Sequence, residues 1–462
     1  MNRHRHVYSV ICALFPLLLS IGAAHAQADA GAQTRPNVVV LIADDVRFDA
    51  LGAAGNPVVQ TPTIDRLAAE GVRFTHAYVT TSICWVSRAS ILTGQHMARH
   101  GHTTAAEPFS PEAWASTYPA VFRGAGYWTG WIGKWHNGKL PADQFDYARS
   151  YPMKYWIDDP RYGHIHVTDA DTRDALEFLR QRPKNRPFQL NVAFFNAHAE
   201  DAAKEQYLPE DSSASEYRDV TIPPPLRAGS EYFDALPFFL KAEANEGRVR
   251  YHWRFDTPAS YQEMITNYYR LISDMDRAIG TVVAELKAQG VYDNTVILFI
   301  GDNGYFQADR GLADKWYPYE ESVRIPLVIH DPRVREGGVT RDQTVLNIDL
   351  APTILAAAGL RVPAVMQGRD MGPLYLSARA PAWRDEFFYD HPTITSRDRI
   401  PASQAVVRRD LKYVIYPEWG YEQLFDLKKD PTELHNLVED SGYRAVLQSL
   451  RRKLEEWREK VR

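Results

Sequence analysis

The sequence predicts an α/β protein with a large, mostly parallel central sheet flanked by helices, and a smaller C-terminal α+β subdomain. Short unbroken apolar runs are typical of strands buried on both faces of a parallel sheet. Three such runs stand far apart in the chain, at residues 37–43, 188–195 and 295–300. Because helical segments lie between them, strands alternate with helices, which is the pattern of an α/β architecture.

The sequence predicts two helices together with the residues at which each begins and ends. Residues 63–70 are bracketed by Pro62 and Gly71, which favour the start and the end of a helix. Residues 261–288 place apolar side chains at three- and four-residue intervals and stop before Gly290. This spacing predicts an amphipathic helix whose apolar face lies against the sheet.

The pattern changes in two later parts of the chain. From residue 381 onward, short strands at 405–416 and 422–427 and a charged helix at 443–462 predict the α+β subdomain, over residues 381–462. Residues 200–257 are rich in proline, aromatic and charged residues and show little periodicity. A segment of this length without regular structure is typical of a functional insertion, which we expect near the active face of the main domain.

The N-terminus predicts an export signal over residues 1–26. A basic start precedes an apolar stretch at residues 10–21, and Ala24-His25-Ala26 fits the small-residue pattern of a cleavage site. The apolar stretch is too short for a comfortable membrane span. We therefore expect a periplasmic or secreted protein with no integral membrane segment after cleavage, and a main α/β domain over residues 27–380.

The net charge and the cysteine content exclude one class of function and favour another. The formal net charge of −5 argues against a nucleic-acid binder, which is usually strongly basic. Of the two cysteines, Cys12 lies in the predicted leader, so the mature chain keeps only Cys84. An unpaired thiol in an oxidising compartment is either buried and inert or used for chemistry. Ser87 and Arg88 and the Leu-Thr-Gly turn that follow it favour chemistry.

Acidic side chains follow two of the predicted strands. Asp44 and Asp45 come directly after the first strand, and Asp302 and Asn303 come after the third. Open parallel sheets bind ligands at the carboxyl ends of their strands. Either pair alone could be a helix cap or a solvated loop, but two pairs at equivalent ends favour a metal site. Their hard oxygen donors suit Ca²⁺ or Mg²⁺ rather than zinc.

A scattered set of cations completes the pattern. It consists of Arg88, Lys134, His136, His198 and Lys315. Each of these residues alone is most often simply solvated. Together they are what a site for a tetrahedral oxyanion requires, and the tryptophan after each lysine indicates an apolar wall beside the ammonium group.

Four segments of the chain resemble the type I sulfatases of the alkaline phosphatase superfamily. Residues 36–77 (PNVVVLIADDVRFDALGAAGNPVVQTPTIDRLAAEGVRFTHA) resemble the N-terminal block of the family, and residues 84–94 (CWVSRASILTG) resemble its C-x-P-S-R-x-x-x-L-T-G signature. Residues 301–329 (GDNGYFQADRGLADKWYPYEESVRIPLVI) resemble its late metal-and-lysine block, and residues 424–437 (LFDLKKDPTELHNL) resemble its C-terminal segment. The resemblance covers most of the mature chain.

The resemblance implies a nucleophile and a metal. Cys84 would be oxidised by a formylglycine-generating maturation enzyme to 3-oxoalanine (formylglycine), whose hydrated aldehyde supplies the attacking oxygen. One Ca²⁺ per chain would be held by Asp44, Asp45, Asp302, Asn303 and the hydrate at residue 84. The metal would lower the pKa of the hydroxyl and orient it for attack on sulfur.

The resemblance also implies roles for the cations. Arg88 and His136 would orient and polarise the hydrate, while Lys134 and Lys315 would bind the sulfate oxygens. His198 would contact the substrate and act as the general acid that protonates the departing alcohol.

The chain departs from the family pattern at three positions. Val86 stands where the signature has proline, which the maturation enzyme reads as part of an extended peptide. Arg310 stands where relatives commonly have histidine, and we expect it to contact the substrate. Asp314 stands where glycine often precedes the lysine, and we interpret it as surface variation.

The sequence leaves the substrate open. Arg248, Arg250, Trp253 and Arg254 in the predicted insertion favour a sulfated poly- or oligosaccharide, because guanidinium groups suit polyanions. A solvated surface explains them equally well, and a small aryl or alkyl sulfate is the alternative substrate. Two other functions also remain, namely a phosphate or phosphonate ester hydrolase on the same scaffold and a non-catalytic glycan- or sulfate-binding relative in which Cys84 is not converted.

Overall fold

The structure is a computed structural model that describes Met1, residues 35–377 and residues 379–462. The predicted export signal over residues 1–26 therefore lies, apart from Met1, outside the described residues. Within the described ranges, none of the helices combines the length and the apolar character that a membrane crossing needs.

The strands of the described residues fall into a large sheet, a second sheet and two short hairpins. In chain order they are β1 (Asn37–Ala43), β2 (Val72–Tyr78), β3 (Trp128–Gly133), β4 (Tyr147–Arg149), β5 (Trp156–Asp159), β6 (Gly163–His166), β7 (Phe188–Ala193), β8 (Thr295–Gly301), β9 (Phe306–Gln307), β10 (Ala313–Asp314), β11 (Arg324–His330), β12 (Val339–Arg341), β13 (Val345–Leu346), β14 (Glu386–His391), β15 (Ser403–Arg408), β16 (Leu411–Tyr416) and β17 (Tyr421–Asp426).

The α-helices of the described residues lie between and around these strands. They are α1 (Pro62–Glu70), α2 (Cys84–Thr93), α3 (Met97–His100), α4 (Pro111–Ala115), α5 (Tyr118–Gly124), α6 (Val167–Gln181), α7 (Ser230–Asp234), α8 (Phe238–Lys241), α9 (Glu246–Arg254), α10 (Pro258–Ala288), α11 (Glu320–Val323), α12 (Leu350–Ala357), α13 (Gly372–Leu376) and α14 (Arg444–Lys460).

The predicted mostly parallel central sheet is confirmed. Its strand order is β12-β2-β11-β8-β1-β7-β3-β4, with β13 also paired to β2. Strand β1 is parallel to both β7 and β8, and β3 is parallel to β7 and β4. Only β11 runs antiparallel to its neighbours β2 and β8 within the described part of this sheet.

The apolar runs form strands that are buried on both faces. Successive side chains of a strand point to opposite faces, and in β1 Val39 and Leu41 belong to one core cluster whereas Val38, Val40 and Ile42 belong to the other. The long helix α10 covers the first of these faces, with Leu271, Met275 and Ile279 in its cluster. It begins three residues earlier than predicted, because Thr257 and Ser260 form a capping box around Pro258.

The C-terminal region forms a separate antiparallel sheet in the order β14-β15-β16-β17. The predicted single run at 405–416 is divided into β15 and β16, which pair as an antiparallel hairpin around Arg409 and Asp410. Helix α14 packs its leucines on one face of this sheet. Side chains from the other face, such as Phe387 and Val414, pack with Tyr319 and Val323 from the end of the late block.

Candidate active site

The acidic residues meet at the carboxyl end of the central sheet. Strands β1 and β8 are parallel neighbours whose last paired residues are Ala43 and Gly301, so the residues after them emerge side by side. The backbone N–H of Asp302 donates to the carbonyl of Ala43 at 2.9 Å, and that of Asp45 donates to Asp302 Oδ1 at 3.3 Å. The parallel pairing of two buried strands therefore brings both predicted acidic pairs together.

Helix α2 brings the cysteine to this cluster. Its first residue is Cys84, which follows the extended residue Ile83, and the helix ends at Gly94 in the left-handed conformation (φ +64°) that favours glycine. Cys84 Sγ donates to Asp44 Oδ1 at 3.3 Å. Burial, followed by the charge of Asp44, raises the pKa of the Cys84 thiol well above its ordinary value.

Arg88 lies one turn along α2 and joins three parts of the site. Its Nε donates to Asp302 Oδ2 at 2.8 Å, its Nη1 donates to the carbonyl of Lys134 at 2.9 Å, and its Nη2 lies 3.5 Å from Asp44 Oδ2. The side chain is fully buried. Because a buried guanidinium needs partners of opposite charge, this side chain holds the ends of β1, β3 and β8 in register with the cysteine helix.

Four side chains have the arrangement of a cation site. Ligand atoms of Asp44, Asp45, Cys84 and Asp302 all lie within 4.8 Å of one another, and all four residues are buried. Asn303 Nδ2 donates to Asp45 Oδ1 at 2.6 Å. Among the described residues, Asp45 Oδ2 and Asn303 Oδ1 are buried without a hydrogen-bond partner. Oxygen donors that are buried and unpaired in a common pocket fit a hard cation.

The carboxylates of this group differ in their proton affinity. Burial, opposed by Lys315 and reinforced by Asp44, raises the pKa of Asp45 to about 6, and burial together with Asp44 raises that of Asp302 to about 6. Burial would also raise the pKa of Asp44, but Lys134 and the other cations near it hold that pKa far below its usual range.

The predicted lysines and His198 surround the acidic group. Lys134, directly after β3, donates to Asp44 Oδ2, and Lys315, directly after β10, donates to Asp45 Oδ1. His198 Nε2 lies 3.6 Å from Asp45 Oδ2. The Nδ1 of His198 hydrogen-bonds the Ala199 carbonyl at 2.6 Å, so this nitrogen carries the proton and Nε2 faces the cluster. Burial, with Lys134 and Lys315, lowers the pKa of His198 to about 4.

His136 lies at the same edge. It has a positive φ of 65°, and its ring packs edge-on against Trp85, the residue after the cysteine, with centroids 5.4 Å apart. Its buried Nδ1 has no hydrogen-bond partner among the described residues. Burial, followed by Lys134, lowers the pKa of His136 to about 2.

Arg310 does not join this group, which corrects the expectation that it contacts the substrate. Its side chain is 1% exposed. It donates to the carbonyls of Thr432 and Glu433 at 2.6 and 3.2 Å, and its Nε lies 3.5 Å from Glu321 Oε1. The guanidinium also stacks over Tyr319. Arg310 therefore ties the late block to the C-terminal segment.

Asp314 is buried, so its interpretation as surface variation is wrong. It has a φ of 74°, a conformation in which glycine is favoured and aspartate is tolerated. Its Oδ2 lies 3.0 Å from Arg254 Nη1, and its Oδ1 lies 3.6 Å from Lys315 Nζ. Asp314 therefore links the predicted insertion to a lysine of the site.

The sequence indicated the insertion at residues 200–257 as a functional segment, but it did not indicate Asp201, which pairs with two arginines of that segment. Helix α9 carries Arg250 and Arg254, and both reach Asp201 Oδ1, the latter at 2.6 Å. Asp201 follows His198 by three residues and was not predicted as a site residue. The short separation between His198 and Asp201 could have indicated Asp201 as a site residue, because a residue just beyond a histidine at a strand end lies at the same edge of the sheet.

Comparison with known proteins places the chain in one family. The sulfatase family model matches residues 36–360, more than half of the chain, and the model of the C-terminal region of N-sulphoglucosamine sulphohydrolase matches residues 308–460. An N-acetylglucosamine-6-O-sulfatase of Bacteroides thetaiotaomicron is 27% identical, over 91% of this chain and 86% of that protein. An arylsulfatase of Clostridium perfringens is 28% identical, over 90% of this chain and 93% of that protein.

A solved structure agrees with these relatives. A protein in complex with D-glucosamine-2-N,6-O-disulfate, described as its substrate, superposes with a TM-score of 0.78 and 25% identity, over 93% of this chain and 98% of that chain. The family match, the strand-end acidic group and the cysteine helix agree with one another. This chain belongs to the sulfatase family within the alkaline phosphatase superfamily, and it is a sulfuric ester hydrolase.

Proposed function

We propose that this protein removes a sulfate ester from a glucosamine residue of a sulfated poly- or oligosaccharide. The observation that carries the proposal is the convergence of Cys84, Asp44 and Asp302 with Lys134 and Lys315 at one edge of the sheet. The glucosamine part rests on similar proteins, whose names or ligands include N-acetylglucosamine 6-O-sulfate, N-sulphoglucosamine and glucosamine disulfate.

The metal in this proposal is one Ca²⁺. Asp44, Asp45, Asp302 and Asn303 would hold it together with the side chain at position 84, and the unpaired oxygens of Asp45 and Asn303 support this set. A bound Ca²⁺ supplies Lewis acidity, which lowers the pKa of a coordinated hydroxyl. The carboxylate and amide oxygens of this set suit Ca²⁺, which accepts irregular oxygen coordination, whereas Mg²⁺ demands a stricter octahedral geometry.

The nucleophile in this proposal is Cys84 after conversion to 3-oxoalanine by a formylglycine-generating maturation enzyme. The hydrated aldehyde supplies an attacking oxygen and a route by which sulfate can leave, which an unmodified thiol lacks. The position of Cys84 at the first residue of α2, beside Asp44, supports its role as the reacting residue.

The remaining side chains bind the sulfate and move the proton. Lys134 and Lys315 approach the acidic group from two different loops, so that a sulfate between them has an ammonium group on each side. Arg88 and His136 position residue 84. His198 is the proposed general acid: with Nδ1–H bonded to the Ala199 carbonyl, it would have to take up a second proton at Nε2, beside Asp45 Oδ2 and against its lowered pKa, and donate that proton to the leaving oxygen.

The proposal includes a location in the periplasm or outside the cell, which the predicted export signal over residues 1–26 supports. Helices of the described residues offer no membrane span.

Mass spectrometry of the natively produced protein tests the nucleophile. The peptide that carries residue 84 should have the mass of the aldehyde or its hydrate. A mature protein that releases sulfate while showing only the unmodified thiol would overturn the proposed chemistry.

A second candidate is hydrolysis of a small aryl sulfate, which the similarity to an arylsulfatase favours. Sulfate release from N-acetylglucosamine 6-sulfate, and from oligosaccharides that contain it, should be compared with release from 4-nitrophenyl sulfate. Activity on the aryl ester alone would overturn the glycan proposal.

A further inference from the structure

The insertion presents a partly exposed group of side chains beside the catalytic edge. We call Asp201, Arg250 and Trp253 the insertion rim. The Arg250 side chain is 16% exposed and that of Asp201 is 36% exposed, while Trp253 is 47% exposed. The guanidinium of Arg250 lies 4.6 Å from the centroid of the Trp253 ring. The rim thus combines a carboxylate, a guanidinium and an aromatic face that solvent can reach.

A buried ion pair anchors the rim to the site. Arg254, one turn from Arg250 on α9, is fully buried and contacts Asp201 Oδ1 at 2.6 Å and Asp314 Oδ2 at 3.0 Å. Asp314 in turn contacts Lys315, one of the proposed sulfate ligands, at 3.6 Å. A chain of ion pairs thus connects the rim to the proposed sulfate site, from Asp201 through Arg254 and Asp314 to Lys315.

Two polar atoms of the rim remain available to a ligand. The contacts of Asp201 within the described residues all use Oδ1, and those of Arg250 use Nε, with Glu246, and Nη1. Asp201 Oδ2 can thus accept a hydrogen bond and Arg250 Nη2 can donate one. An acceptor beside a donor suits neighbouring hydroxyl groups, since each hydroxyl both donates and accepts.

The charges of the rim and its anchors cancel. Three carboxylates (Asp201, Glu246 and Asp314) are paired with three guanidinium groups (Arg250, Arg254 and Arg399). Lys315, which also contacts Asp314, is assigned to the scissile sulfate, so the rim itself carries no net positive charge for a second anionic group. A sulfate or carboxylate next to Asp201 Oδ2 would meet a like charge.

We propose that Asp201, Arg250 and Trp253 form the subsite for the sugar that carries the scissile sulfate, and that this subsite selects a hexosamine whose other substituents are uncharged. The proposal rests on the glycan sulfatase function proposed above. Asp201 and Arg250 bind hydroxyl groups of the sugar, Trp253 packs against its C–H face, and the Asp201 carboxylate disfavours an additional sulfate.

The test compares N-acetylglucosamine 6-sulfate, glucosamine N,6-disulfate and 4-nitrophenyl sulfate as substrates. The natively produced enzyme should show a kcat/KM about ten-fold higher for the monosulfated sugar than for the disulfated one, because of the like charge at Asp201. Asp201→Asn removes the charge and keeps the shape, so this ratio should fall towards one. A change in ratio separates recognition from a loss of folded protein, which scales both rates equally.

Arg250→Gln and Trp253→Ala provide independent evidence, and Trp253 is exposed enough that its removal should leave the fold intact. Each variant should lower kcat/KM for N-acetylglucosamine 6-sulfate by about ten-fold, and by a markedly smaller factor for the aryl ester, which lacks the sugar hydroxyls. Asp219→Asn is the matched control, because Asp219 is an exposed carboxylate in the same insertion.

Two results would overturn the proposal. One is an unchanged selectivity ratio in Asp201→Asn together with equal losses on sugar and aryl substrates in the other variants. The other is a wild-type enzyme that cleaves the aryl ester and neither sugar sulfate, and this result is recognised without any variant because it removes the proposed glycan function itself.

Discussion

Cys84 Sγ lies 3.3 Å from Asp44 Oδ1, although the two residues come from different elements, the start of helix α2 and the end of strand β1. Arg88, on the same helix, contacts both Asp44 and Asp302. The proposed reacting residue is thus positioned by the secondary structure itself rather than by a loop.

Replacement of Cys84 should abolish activity and spare the fold. We expect Cys84→Ala to lower sulfate release by at least about a thousand-fold, because the residue that supplies the nucleophile is gone. The free energy of unfolding should change by no more than about 2 kcal/mol, since only one sulfur atom leaves the core. Sulfate release and urea denaturation measure the two effects, and Ile91→Val on the same helix serves as the control. Substantial activity in Cys84→Ala would remove the residue from the reaction.

Proline at position 86 should favour conversion of Cys84. Proline prefers the extended conformation in which the maturation enzyme reads the segment. The folded helix should also accept it, because Val86 lies in the first turn, ahead of the Ser87 N–H that bonds the Ile83 carbonyl. Peptides spanning residues 78–94 should be converted faster by purified maturation enzyme with Val86→Pro than with valine, and Val86→Ile should behave as valine does. Equal rates for valine and proline would contradict this.

Calcium should stabilise the protein through the acidic group. A ligand that binds only the folded state raises the unfolding temperature, so chelation should lower it and added Ca²⁺ should restore it more effectively than Mg²⁺. Asp45→Asn should weaken the apparent Ca²⁺ affinity by at least about ten-fold, because an oxygen ligand loses its charge. Asp49→Asn is the control, since Asp49 pairs with Arg47 and lies outside the group. Equal calcium responses in the two variants would argue against Asp45 as a ligand.

Arg310 should matter for stability rather than for substrate binding. Arg310→Met leaves the buried carboxylates of Glu321 and Glu433 with one cation fewer. Loss of one partner of a buried charge network costs about 3 kcal/mol, which urea denaturation will measure. The KM of the folded enzyme should stay close to that of the wild type. A raised KM at unchanged stability would restore Arg310 as a substrate contact.

His391 should make the protein less stable in mild acid. This side chain, at the end of β14, is buried, and burial lowers its pKa to about 3. The unfolded chain titrates near its ordinary value of about 6.5, so the unfolded state binds the extra proton between these two values. The free energy of unfolding should therefore be fully retained above pH 6.5 and should fall as the pH is lowered towards 3, by up to about 1.4 kcal/mol per pH unit for this one group.

The variant His391→Gln separates this histidine from the other titrating groups. The slope of unfolding free energy against pH, measured between pH 6 and 4, should become shallower in the variant. Equal slopes would mean that His391 takes up its proton in the folded state as well.

The main sheet and the central site could be predicted from local sequence. Unbroken apolar runs predicted that residues 37–43 and 295–300 form interior parallel strands, and the pairing of β1 with β8 confirms this prediction and brings the side chains after them to one edge. Lys134 and His198 lie at that edge as well, because they follow the ends of β3 and β7. The prediction of the sheet succeeded because the pattern of apolar residues in a strand, and the position of the residues that follow it, are local properties of the chain.

Only the tertiary structure determined which partners the charged residues outside that edge contact. Two hydrogen-bond partners of Arg310, the carbonyls of Thr432 and Glu433, lie more than a hundred residues away, and Arg254, which contacts Asp314, lies sixty residues earlier on α9. Whether a charge faces solvent, substrate or a buried counter-charge depends on which distant segment packs against it, and no local pattern records that choice. For the same reason, the arginines at positions 248, 250 and 254 favoured an anion-binding insertion in the sequence, whereas in the folded protein these three arginines are paired with carboxylates.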